Sequence, residues 1–98
     1  MITREIIIDI LKSSKPQLLK FGVNNIGLFG SYLRNEQSEN SDIDLLIDFI
    51  PQEENFDNYM AVYDMLETVF ETKKVEVVTT NGLSPYIGPK ILKEVMYV

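Results

Sequence analysis

The chain has 98 residues, 45% of them hydrophobic, a formal net charge of −6, and neither cysteine nor histidine. That length suits one small domain over residues 1–98, with no room for a second, acceptor-binding domain. The composition excludes disulfides, structural zinc sites and Ser-His-Asp or Cys-His catalysis; it restricts any metal to oxygen ligands, favouring magnesium or manganese, and the acidic balance argues against direct binding of duplex nucleic acid through its phosphates.

Ile6, Ile7, Ile10 and Leu11 recur at helical spacing and predict a helix over residues 3–12. Residues 13–17 interrupt it. Ser14 with Gln17 three positions on suits a capping box, and Pro16 is tolerable in a first turn, so a second short helix is expected to run to Phe21 and stop at Gly22. A short strand comes next over residues 25–29, then a single helical turn or short helix over 31–35 and a polar loop over 36–41. Residues 42–49 form the strongest strand, with Ile43, Leu45 and Ile47 on one face.

Residues 51–55 read as a linker and 56–70 as a helix with Met60, Tyr63, Leu66 and Phe70 as its stripe. A third strand covers 74–79 with Val75 and Val77 inward, and Asn81-Gly82 makes a turn. Ser84-Pro85 is an N-cap and N1 pair opening a last helix from Pro85 to about Val95. The order ααβαβαβα gives an α/β (α+β) domain on a small mixed sheet flanked by helices. No signal peptide is visible and no apolar run approaches membrane-spanning length, so a soluble cytoplasmic protein without membrane contact is expected.

The chemistry concentrates in two words, Leu28-Phe29-Gly30-Ser31-Tyr32-Leu33-Arg34 and Ser41-Asp42-Ile43-Asp44-Leu45-Leu46-Ile47-Asp48. Carboxylates two apart on a strand share a face, with Cα atoms roughly 7 Å apart, and can lean together onto one or two hard cations. The Gly30-Ser31 turn can offer backbone N–H groups and a hydroxyl to a phosphate. Leu46 shares the parity of Asp42 and Asp44, so that face is not simply solvated; Asp48 reads as surface. Glu76, an acid inside a β-branched strand, is either an exposed position or a third carboxylate facing Asp42 and Asp44. Arg34, one turn after Ser31, is either a solvated arginine or a bidentate donor to a triphosphate. Tyr32 and Tyr86 read as packing residues. The outline is a site for magnesium and a nucleoside triphosphate.

Together these residues resemble the minimal nucleotidyltransferases of the DNA polymerase β-like superfamily: Gly30-Ser31, ten residues, Asp42-x-Asp44, a later acid at Glu76, and the tail Leu83-Ser84-Pro85-Tyr86-x-x-Pro89-x-Ile91-Leu92. The resemblance implies the polymerase β-like nucleotidyltransferase fold. It also implies an antitoxin that moves AMP from ATP onto a hydroxyl, a tyrosine, of a partner HEPN-domain ribonuclease toxin, in a hetero-oligomer. By the same resemblance Asp42, Asp44 and Glu76 are the catalytic and metal-binding residues for two Mg2+ ions, and Gly30, Ser31 and Arg34 bind the nucleotide. Two positions depart from the pattern: Glu76 stands where Asp is usual, and Asn35 where Gly is usual. Two other readings stand beside this one: an inactive antitoxin that neutralises the toxin by binding alone, and a transferase acting on a small molecule, which would need the acceptor domain this length does not allow.

Overall fold

The computed structural model describes residues 2–98. Three helices and four strands occur in the order α1 (Arg4–Lys20), β1 (Val23–Phe29), β2 (Ile43–Phe49), α2 (Phe56–Val69), β3 (Val75–Thr79), α3 (Gly88–Glu94) and β4 (Met96–Tyr97). Short 3-10 turns at Pro51–Glu53 and Thr80–Gly82 punctuate the connections. The sheet order is β3-β2-β1-β4; β1 pairs antiparallel with β2 and β4, while β2 and β3 run parallel with α2 as their crossover. This is the mixed α/β sheet the sequence predicts.

The strands divide the sheet into two unlike faces. Ile26 and Leu28 of β1, Ile43, Leu45 and Ile47 of β2, and Val75 of β3 join one core with Ile7, Leu11 and Leu18 of α1 and Val62 and Leu66 of α2. The opposite face carries Gly27 and Phe29, Asp44 and Leu46, and Glu76 and Val78, as strand alternation requires. Phe29 and Leu46 are buried outside the main core. The α3–β4 return covers part of this second face: a Cβ at Gly27 would meet Met96 O at 3.0 Å and collide with the Val95 side chain, so glycine here lets the tail close down on β1.

Several elements differ from the sequence expectation, each for a physical reason. The first two predicted helices are one. Thr3 caps it by accepting from Ile6 N–H at 3.2 Å, and it runs through Pro16 to Lys20. Its buried stripe, Ile7, Leu11, Ser14 and Leu18, is continuous across the proline. Ser13 and Ser14 donate to the carbonyls of Asp9 and Ile10 at 3.0 and 2.8 Å, and the Lys12 carbonyl that Pro16 leaves without a donor sits on the exposed side. Burying Leu18 and half-burying Phe21 offset the roughly 3 kcal/mol of an interior proline.

On α2 the buried stripe is Val62 and Leu66, continued by Phe70 just past the end; Met60 and Tyr63 are half-buried. α3 starts three residues later than predicted. Ser84 does accept from Ile87 N–H, at 3.1 Å, but Pro89 has no N–H for the Pro85 carbonyl, so residues 85–87 remain a turn and the regular ladder begins at Gly88. After α3 the chain does not fray. Met96 and Tyr97 add a fourth strand to β1, Val98 N–H donates to Ile26 O at 3.0 Å, and Lys15 Nζ reaches Val98 O at 2.8 Å. Among the described residues no helix is long and apolar enough to cross a membrane.

Candidate active site

β1 ends at Phe29 and the chain turns at Gly30, which takes φ +79. The segment after Gly30 is a single turn rather than a helix. Arg34 N–H bonds to Gly30 O at 3.1 Å, and Glu36 N–H closes back on Ser31 O at 2.9 Å around Asn35, itself at φ 58. Asparagine tolerates that left-handed conformation, so the residue standing where the pattern has glycine still serves the turn. Tyr32 and Leu33 are buried and anchor the turn, whereas Ser31 is half-buried and Arg34 exposed at the surface.

Phe29 pairs with Asp44 across the β1–β2 ladder, which sets Asp44 directly beside Gly30. A Cβ at Gly30 would collide with Asp44 Oδ2 and stand 2.9 Å from its Cγ. The glycine is thus needed twice, for the positive φ and for the close approach of the carboxylate.

On its other side β2 runs parallel to β3, and the register pairs Asp44 with Glu76. Directly paired residues of neighbouring strands share a face, so the two carboxylates meet. Asp42 lies one residue before β2 begins, at the mouth of the strand rather than within it. Burial, the Glu76 charge, a hydrogen bond with Glu76 and the Asp42 charge together push the Asp44 carboxyl up to about 6, while Arg34 opposes them. Asp48 also lies on this face but at the far end of β2, where it accepts from Thr80 Oγ1 at 3.0 Å; it has no part in the cluster.

The resemblance implies divalent cations here. The donors fit a hard ion in kind: all are oxygens, and the burial and like charge that raise the Asp44 carboxyl would be offset by a cation. Among the described residues no three acidic side chains already stand at single-ion spacing. The preassembled part is the Asp44–Glu76 pair, with Asp42 within electrostatic reach.

One residue of this neighbourhood was invisible to sequence reasoning. Glu94, the last residue of α3, accepts from Gly30 N–H at 3.3 Å and from the Arg34 guanidinium, whose Nε also bonds Glu36 at 2.8 Å. The signal that would have found it is the β4 register. Leu28 pairs with Met96, and that pairing brings the end of α3, two residues earlier, back over the end of β1. A cavity of about 500 Å3 lined by Phe49, Phe56, Tyr59 and Val77 lies at the other end of the strands, away from these acids.

Residues 5–97 match the model of the polymerase beta nucleotidyltransferase family. The protein adenylyltransferase MntA of Thermococcus cleftensis is 39% identical over 100% of this chain and 98% of its own length. A Methanocaldococcus jannaschii protein, provisionally named a protein adenylyltransferase, is 39% identical over 92% of this chain and 95% of its own. A solved structure provisionally described as a minimal nucleotidyltransferase shares the fold at a TM-score of 0.83 and 24% identity, over 97% of this chain and 95% of the other. A toxin–antitoxin structure with AMP-PNP shares it at 0.64 and 22% identity, over 98% of this chain and 72% of the other. The chain belongs to the polymerase β nucleotidyltransferase family.

Proposed function

We propose that this domain is an antitoxin that transfers AMP from ATP to a hydroxyl, a tyrosine, of a HEPN-domain ribonuclease toxin bound in a hetero-oligomer in the cytoplasm. The observation that carries this reading is the meeting of Asp44 and Glu76 beside the Gly30 turn, with Asp42 at the strand mouth. The names of the Thermococcus and Methanocaldococcus relatives support protein adenylyl transfer, and the toxin–antitoxin assembly solved with AMP-PNP supports ATP and a toxin partner.

In this reading Asp42, Asp44 and Glu76 hold Mg2+, which when bound stabilises charge on the phosphates and lowers the pKa of the attacking hydroxyl. Gly30 N–H and Ser31 receive a phosphate, and Arg34 pairs with another of its oxygens. Glu76, exposed at the sheet edge, accepts the proton of the acceptor hydroxyl as its oxygen bonds to the α-phosphorus. The bond from the α-phosphorus to the bridging oxygen breaks, and pyrophosphate leaves. The partner itself brings the acceptor hydroxyl in line with the α-phosphate.

The test is the intact mass of a purified HEPN toxin partner after incubation with this protein, ATP and magnesium. An increase by one or more AMP groups is expected. An unmodified toxin that is still neutralised supports the binding-only reading, which one observation favours: Gly30 N–H and Arg34 are already engaged by Glu94. Magnesium-dependent ATP binding separates the two.

A further inference from the structure

α3 ends with a carboxylate between the two donors that the proposed function gives to a phosphate. Glu94 Oε2 takes Gly30 N–H at 3.3 Å, and Oε1 takes the Arg34 guanidinium. The contact is not a chance meeting of surface side chains. The Glu94 side chain is only 25% exposed, and the pairing of β4 with β1 delivers it to Gly30. Beside it a cavity of about 440 Å3 opens between Arg34, Lys90 and Glu94, with Lys90 one helical turn before Glu94 on α3. The cavity therefore holds two cationic side chains and one carboxylate, and the carboxylate neutralises the nearer cation.

We propose that Glu94 is a built-in occupant of the phosphate site, which the polyphosphate of ATP must displace, after which Arg34 and Lys90 hold the liberated phosphate oxygens. This rests on the nucleotidyl-transfer reading of the same site. A carboxylate and a phosphate compete for the same N–H and guanidinium donors, and the polyphosphate wins by bringing more charge and more oxygens to two cations. While Glu94 sits there, the cradle is closed to weak anions and opens only to a ligand charged enough to exchange with it. If instead Glu94 stays in place as a further cation ligand beside Asp44, its carboxyl resonance does not move with the Gly30 amide when tripolyphosphate binds.

The probe is inorganic tripolyphosphate, titrated calorimetrically without metal into the full chain and into the Glu94→Gln and Lys90→Gln variants. Glutamine keeps an acceptor for Gly30 N–H and removes the charge. Glu94→Gln is expected to bind tripolyphosphate at least about fivefold tighter than the parent chain, and Lys90→Gln about threefold or more weaker, the scale of one ion pair. In the unsubstituted protein, NMR resonances of the Gly30 amide and the Glu94 carboxyl should move together and saturate at one concentration, a readout independent of whether either variant folds. Unchanged or weaker binding by a folded Glu94→Gln overturns the proposal, as does a Gly30 response without a Glu94 response. If the parent binds and Gly30 responds while Glu94→Gln brings no gain, only the role of Glu94 falls. If neither tripolyphosphate nor Mg-ATP perturbs Gly30 in any variant, the nucleotidyl-transfer reading falls with it.

Discussion

Asp44 and Glu76 are register partners on parallel strands, so their carboxylates share one face, and burial together with the Glu76 charge pushes the Asp44 carboxyl up to about 6. The ordinary value for an aspartate is 3.8. Between those values the folded chain binds a proton that the unfolded chain does not, so stability from this group is full below about pH 4 and is lost as pH rises through 6. With solvent screening discounted, the loss is about 1–2 kcal/mol. Metal-free Asp44→Asn should therefore melt about 5 °C above the parent at pH 7.5, and the gap should close at pH 4. A gap that persists unchanged at pH 4 would show that the ionisation of Asp44 is not its cause.

Magnesium should reverse that ordering. An ion that binds the folded carboxylates and not the unfolded chain raises the melting temperature with its concentration. The parent is expected to gain and Asp44→Asn to gain little. Asp42→Asn and Asp44→Asn should each lower transfer by roughly a thousandfold, the scale of about 4 kcal/mol of transition-state stabilisation. Near-parental transfer by both would show that the site lies elsewhere.

At Glu76 two substitutions divide geometry from charge. Glu76→Gln removes a ligand and the proton acceptor, and transfer should fall by about a hundredfold or more. Glu76→Asp restores the residue usual in the family pattern, and equal or faster transfer is expected. It also withdraws the carboxyl from Asp44 by about one methylene, so the Asp44 titration followed by NMR should move down. Silence of both variants in rate and in titration would detach Glu76 from the cluster.

Gly30→Ala tests the close approach. The added Cβ meets the Asp44 side chain, and the position keeps φ +79, unfavourable for alanine. A stability loss of about 1–3 kcal/mol is expected, the range for strained backbone. Asp44 can escape the clash only by swinging out of the cluster, so kcat should fall further than ATP binding weakens. A fall in binding alone, with kcat kept, would contradict this.

The elements that sequence made legible are those with a long, regular signal. Ile43, Leu45 and Ile47 mark β2 and its inner face, Val75 and Val77 mark β3, and alternation alone keeps Asp44 and Glu76 off those inner faces. The elements that stayed hidden depend on distant partners. Pro16 looks like a break because local grammar says so; the buried stripe that carries α1 through it needs the whole core. β4 is two residues long and has no period of its own, so the last helix was expected to run to about Val95 with no strand after it, and Glu94 could not be placed near Gly30. Residues 31–35 were expected as a single helical turn or a short helix; Asn35 at φ 58 makes it the single turn.

Removing Tyr97 and Val98 therefore strikes the sheet itself. The deletion takes away the Val98–Ile26 bond, the Lys15–Val98 bond and the Gly27–Tyr97 pairing. We expect about 1–2 kcal/mol of lost stability from a few net hydrogen bonds, and toxin binding that falls in proportion to the fraction folded. Binding lost from a truncation that melts normally would instead make the tail a docking surface.

Among the described residues β2 is the only strand that touches both halves of the site: one edge aligns Asp44 with the Gly30 turn, the other with Glu76. Residues 36–41, just before it, form an irregular loop away from both ladders. The domain thus separates what can vary in length from what cannot. Extra residues inserted among 36–41 only lengthen a surface loop, whereas one residue inserted between Ile43 and Leu45 would reverse the pleat, turning one of the acids into the core and uncoupling the nucleotide cradle from its carboxylates in a single step.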